Sequence, residues 1–188
     1  MKFLHIIGII AITICFGFVS LTKTKVKISP KSEVIICGKS NVNSFQCKYN
    51  SNYLEDEIVV TSIKNGDTKI CLNNAKIAIK SKGFDCANNM ITRDFKTILK
   101  ADDYDNINIE LREIDITNTN LNTRLDIEIA GKSKEYVIPM TYNQKTDNAK
   151  GTLKLNIKDF DLKSPKKLFG LIEVDETVEI NFNLFLQY

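Results

Sequence analysis

Residues 106–140 read NINIELREIDITNTNLNTRLDIEIAGKSKEYVIPM, and apolar side chains recur there at every second position. Ile107, Ile109 and Leu111 form one row, Leu125, Ile127 and Ile129 a second, and Tyr136, Ile138 and Met140 a third. A period of two sends alternate side chains to opposite faces of an extended chain, so each row predicts a strand with one face in a core and the other in water. Between the second and third rows lies AGKSKE, where Gly131 supplies the positive φ of a tight hairpin.

The same alternation extends in both directions. Towards the C-terminus it continues with Leu153, Leu155 and Ile157, then with Val178, Ile180, Phe182, Leu184 and Leu186. Towards the N-terminus Ile77 and Ile79 belong to it, and Asn65-Gly66-Asp67 marks a second hairpin between Val59-Val60 and Ile70-Leu72. Gly151 reads as a relaxed strand start. Lys163 to Gly170, with Pro165, is the longest loop near the C-terminus. One segment breaks the period: over Asn88 to Ala101, Phe95, Ile98 and Leu99 follow helical spacing, with Thr92 or Asn89 as the cap. Seven or eight antiparallel strands and one short helix make an all-β domain. Alternation alone does not separate a sandwich from an up-and-down barrel.

The N-terminus has another character. Met1 and Lys2 precede an apolar run from Phe3 to Leu21, the layout of a secretory signal. Its length of about 19 residues also suits a retained anchor, and both readings direct the chain out of the cytoplasm. Ile14 before Cys15 argues against lipid attachment at that cysteine. The expected organisation is a signal peptide or anchor over 1–22, a Lys/Thr/Ser-rich tether over 23–31 and one domain over 32–188.

The formal charge of +3 is spread along the strands, with no basic stripe interleaved with aromatic residues, so no nucleic-acid partner is expected. Beyond Cys15 the chain has Cys37, Cys47, Cys71 and Cys86. An even set in an exported protein favours disulfides over free thiols or a metal, with three pairings open. The one histidine, His5, lies in the signal, which removes histidine-dependent triads and most zinc hydrolase sites from consideration. Asp102, Asp103 and Asp105 lack the glycine and closing glutamate of a calcium loop, and Asp159 and Asp161 read as turn residues. No catalytic residue, metal site or cofactor is expected, and the chain is not read as an enzyme.

Asn43, Phe45 and Cys47 share one parity, which turns Phe45 inward. Phe45 and the Ile/Leu rows then either fill a core or line a hollow, since an eight-stranded barrel has room for side chains or one small ligand.

SNVNSFQC (40–47), FDCANNMITRDFKTILKADDYDNI (84–107) and DFDLKSPKKLFGLIEVDETVEINFNL (159–184), in this order and spacing, resemble the YceI-like family, particularly its Bacteroidetes-type members. The resemblance runs from about residue 32 to the end. It implies a disulfide between Cys47 and Cys86, leaving Cys37 and Cys71 as a second pair. It implies a lipocalin-like antiparallel barrel of about eight strands closed by the helix, a polyisoprenoid or quinone in its interior, and a periplasmic or secreted location. Other members carry a motif similar to Arg-Asp-x-His-Leu on the helix. Here Arg93-Asp94 is kept and is followed by Phe95, Lys96, Thr97 and Ile98, without the histidine.

The expected ligand-binding set is therefore Phe45, Ile77, Ile79, Phe95, Ile98, Leu99, Ile109, Ile127 and Met140 along the wall, with Arg93 and Lys96 at the mouth. The expected partner is an apolar lipid such as a polyisoprenoid, with a dimer left open. The alternative is a filled-core interaction module of the envelope, in which Phe45, Phe95, Phe160 and Phe182 block the interior.

Overall fold

A computed structural model describes residues 21–54, 57–66, 68–117, 120–167 and 171–188. The strands run β1 (Leu21–Ile28), β2 (Glu33–Lys39), β3 (Ser44–Tyr49), β4 (Glu57–Asn65), β5 (Lys69–Asn73), β6 (Lys76–Lys80) and β7 (Phe84–Asp85). Helix α1 (Asn89–Ile98) follows, then β8 (Asn106–Thr117), β9 (Asn120–Ile129), β10 (Lys132–Asn143), β11 (Asn148–Asn156), β12 (Lys166–Lys167), β13 (Ile172–Glu173) and β14 (Thr177–Gln187).

Eight of these strands, in the order β1-β4-β5-β8-β9-β10-β11-β14, close into an antiparallel ring through Lys27↔Gln187 and Ile28↔Leu186. Closure makes the fold a barrel and not a sandwich. The long strand β14 serves two neighbours on one edge. Its last residues pair with β1, and Glu179–Asn183 pair with β2, which carries β3 and then β7. Strand β8 is shared in the same way, by β5 at Glu113–Asp115 and by β6 at Asn106–Glu110. Between these two partners β8 shifts register from Leu111 to Glu113. The extra residue lets Ile107, Ile109 and Leu111 share the interior face with Ile114 and Ile116, which simple alternation would have turned outward.

The tether expected at 23–31 is not one. Leu21–Ile28 is a ring strand, paired with β4 from Leu21↔Ile63 to Lys27↔Glu57. Thr22, Thr24, Val26 and Ile28 share one parity, and β-branched residues suit a pleated strand even where only two of them are apolar. The barrel therefore begins by Leu21, not near Ser32. The segment read as a signal lies outside the described residues up to position 20.

The hairpin between β9 and β10 turns through Ala130 (φ 50) and Gly131 (φ 77), and that between β4 and β5 through Gly66 (φ 71). Helix α1 is capped by Asn88, not by Asn89 or Thr92. Its side-chain oxygen accepts the N–H groups of Met90 (2.9 Å) and Ile91 (3.1 Å). Thr92 Oγ1 instead accepts the Cys86 N–H at 3.0 Å. The loop expected over 163–170 contains β12, which pairs with β13; residues 168–170 lie outside the described residues.

Candidate functional site

The interior rows of the barrel do not meet. They enclose an elongated cavity with about 190 Å³ of space, lined by side chains from β1, β2, β3, β6, α1, β8, β9, β10, β11 and β14. Every lining residue is apolar except Asp175. Val178 and Leu184, six residues apart on β14, both line it, so at about 3.3 Å per residue it is about 20 Å long. Spread over that length, with about 1.4 Å of clearance to the wall on every side, this space makes a channel roughly 6 Å wide. That is the width of one extended hydrocarbon chain. Asp175 is exposed and its N–H bonds the Lys39 carbonyl at 2.8 Å, so its end of the channel meets the surface.

Phe45, Ile77, Ile79, Phe95, Ile98, Leu99, Ile109, Ile127 and Met140 all stand on the cavity wall. Arg93 and Lys96 do not. They border a separate surface depression with Lys82, Asn89, Thr92, Thr97 and Asp102. The helical period is the reason: with Phe95, Ile98 and Leu99 turned to the barrel, positions 93 and 96 face away. The lining residues missed from sequence include Val174 and Asp175, which stand in no alternating row.

Phenylalanines do not block the interior. Two wall rings lie against glycines of the neighbouring strand. A Cβ built on Gly38 would sit 2.3 Å from Phe45 Cζ, and one on Gly151 would sit 2.4 Å from Phe182 Cζ. Each pair is directly cross-strand, Gly38↔Phe45 and Gly151↔Phe182. Gly151 is thus not a relaxed strand start but an interior position that leaves room for a ring. Phe160, also a candidate to fill the barrel, is fully buried but stacks on Tyr136 with centroids 6.3 Å apart and is not a wall residue.

The cap beneath Phe160 is held by charge. Lys134 pairs with Asp159 at 2.5 Å, Lys132 with Asp161 at 2.9 Å, and the Tyr136 hydroxyl donates to Asp159 at 3.0 Å. The Lys134 hydrogen bond keeps the Asp159 carboxyl below its ordinary pKa, and Lys132 does the same for Asp161. Burial first, then Asp159, pushes the Tyr136 phenol up. These contacts fasten the turn whose Ile157 and Leu162 line the cavity. Asp102 pairs with Lys82 at 2.7 Å, and no metal-holding cluster occurs among the described residues.

A disulfide joins Cys47 on β3 to Cys86 just before α1, as the family resemblance implied. It closes a loop of sequence separation 39, for which the chain-entropy estimate is about 4 kcal/mol, and it fixes the helix entry to the barrel wall. Cys37 and Cys71 form no second pair; both are free thiols. Cys37 lies opposite Glu179 and Gln46, Cys71 opposite Ile63 and Glu113, on strands that are not neighbours.

No curated protein is similar in sequence. Among solved structures, the barrel is similar to the crystal structure of Burkholderia cenocepacia BcnA, with 15% identity and a TM-score of 0.64 over 86% of this chain and 100% of that one. It is also similar to a polyisoprenoid binding domain from Saccharophagus degradans implicated in plant cell wall breakdown, with 8% identity and a TM-score of 0.53 over 86% of this chain and 97% of that one. A family model, the YceI-like domain, matches residues 37–186. That span takes in most of the barrel, the helix and both cysteines of the disulfide, and the chain belongs to the YceI-like family.

Proposed function

We propose that this protein binds one long apolar chain, a polyisoprenoid or a lipid of similar shape, inside the barrel, and that it works in the cell envelope as a carrier or sequestering protein. The observation that carries the reading is the continuous apolar channel, about 20 Å long, with one charged residue at its exposed end. Membership of the YceI-like family and the likeness to a polyisoprenoid binding domain support it. The signal-like N-terminus and the Cys47–Cys86 disulfide support a periplasmic or secreted location, with the N-terminal segment as a further tie to the membrane if it is retained.

At about 0.8 kcal/mol per buried CH₂, a dozen carbons gain on the order of 10 kcal/mol, which is then reduced by the cost of association. Selection falls on the shape of the chain. A headgroup would lie outside the channel beside Asp175, which favours a neutral head such as a hydroxyl or quinone over a phosphate. Binding is the proposed role, without catalysis.

Native mass spectrometry and organic extraction of protein purified from a bacterial periplasm test this. A co-purifying polyisoprenoid or quinone near one-to-one stoichiometry is expected. Protein that emerges empty and takes up no polyprenol when offered it would overturn the reading and favour an interaction module.

A further inference from the structure

We infer that Gly38 and Gly151 set the bore of the channel and so restrict its occupant to a slender chain, excluding fused-ring lipids. The inference rests on the lipid-binding reading and adds the basis of its shape selectivity.

Phenylalanine is the bulkiest residue on the wall, and in a channel roughly 6 Å wide a ring projecting to the axis would close it. Phe45 and Phe182 avoid this because each ring occupies the space that a Cβ on the facing residue would take. At Gly38 the three nearest atoms to such a Cβ are Phe45 Cζ, Cε2 and Cε1, at 2.3, 2.7 and 2.9 Å. At Gly151 they are Phe182 Cζ, Cε2 and Cε1, at 2.4, 3.0 and 3.1 Å. Only the far ends of the two rings are involved. An added methyl group would therefore displace a ring and leave the backbone in place, and the space open to the displaced ring is the channel.

The two pairs act at different depths. Phe182 lies opposite Val34 on β2, while Gly38 is four residues further along that strand, so the rings sit about 13 Å apart along the channel. Two separated narrow points admit a flexible chain, which bends past each in turn. A rigid fused-ring lipid must clear both at its full width. Neither glycine has a positive φ, so backbone conformation does not demand glycine at either place.

The test uses the disulfide-bonded protein after organic extraction, with diphenylhexatriene as a slender fluorescent probe and a long polyprenol and cholesterol as competitors. Wild type is expected to take up the probe and release it to polyprenol but not to cholesterol. Gly38→Ala and Gly151→Ala are each expected to weaken probe uptake tenfold or more. The pair Gly151→Ala with Phe182→Leu is expected to restore it. Phe45→Ala combined with Phe182→Ala, which removes both rings, is expected to let cholesterol compete.

Folded glycine-to-alanine variants that bind as wild type does, or a protein with both Phe45→Ala and Phe182→Ala that still excludes cholesterol, would overturn the bore assignment and leave the lipid reading standing. If the glycine variants do not fold, the variant with both Phe45→Ala and Phe182→Ala decides alone. Wild type that binds neither probe nor polyprenol would overturn both.

Discussion

The hydroxyl of Tyr49 on β3 accepts the backbone N–H of Lys80 on β6 at 3.0 Å. No strand pairing joins β3 to β6, so this bond crosses a seam in the upper barrel, beside the Asn50 N–H to Gly83 carbonyl bond of 2.9 Å. Tyr49 is almost wholly buried and packs on Phe84, whose ring packs in turn on Phe95 of the helix. Tyr49→Phe keeps the packing and removes the bond, so a loss of about 1 kcal/mol is expected. A chemical denaturation midpoint equal to that of wild type would show that the seam does not depend on it.

The disulfide and the two free thiols give a second expectation. Unreduced, denatured protein should show two reactive thiols, Cys37 and Cys71, if the N-terminal segment with Cys15 has been removed, and three if it is retained. Replacing Cys47 and Cys86 together by alanine should lower stability by about 4 kcal/mol on the chain-entropy estimate. Four reactive thiols in the processed protein, or five in the full chain, would mean that the bond does not form.

The wall was legible in the sequence because parity is a local property. Ile109 and Ile127 sit in unbroken alternating rows, and each row needs only a closed ring to become a wall. The helix gave its inner face, Phe95, Ile98 and Leu99, for the same reason. What a local pattern does not carry is the partner across a strand pair. Phe182 reads as a plug until Gly151 is seen opposite it, and those residues are joined by register and not by spacing in the sequence. Strand β1 hides in the sequence because Thr22 and Thr24 carry its inner parity without much hydrophobicity, and Lys23 and Lys25 resemble a solvated linker. Arg93 and Lys96 suit the mouth as polar groups on the covering helix, and helical geometry turns them away from it.

Three of the six tyrosines should ionise late. Burial raises the pKa values of Tyr49, Tyr136 and Tyr142, and for Tyr142 the Tyr188 hydroxyl at 3.0 Å and Asp147 at 2.8 Å add to the effect. A folded value raised above the ordinary one near 10 contributes stability that is complete below about pH 10 and is lost as pH rises through the folded value. At the acid end the sign reverses. Asp102, Asp159 and Asp161, lowered by Lys82, Lys134 and Lys132, support the fold above about pH 4 and lose that contribution as pH falls through their lowered values. Ultraviolet titration of the phenols should extend well above pH 10, its late part merging with alkaline unfolding, and Tyr136→Phe should shorten that late part. A single phase near pH 10 would contradict the burial of these groups.

The placement of Arg93 and Lys96 separates two kinds of lipid recognition. If cations on the helix held a headgroup, removing them would release the ligand. Both lie on the outer side of a helix whose inner side is the channel wall, and the charged residue of the lining is Asp175. Arg93→Ala with Lys96→Ala should therefore leave the amount of extractable lipid unchanged and alter stability by no more than about 0.5 kcal/mol, as usual for surface substitutions. Ile109→Asn, by contrast, places an amide on an apolar wall where no partner stands, and bound lipid should fall several-fold. Lipid content measured by extraction from the two proteins, purified side by side, decides the matter. Loss of ligand from the helix variant with retention by the wall variant would move recognition from the chain to the head.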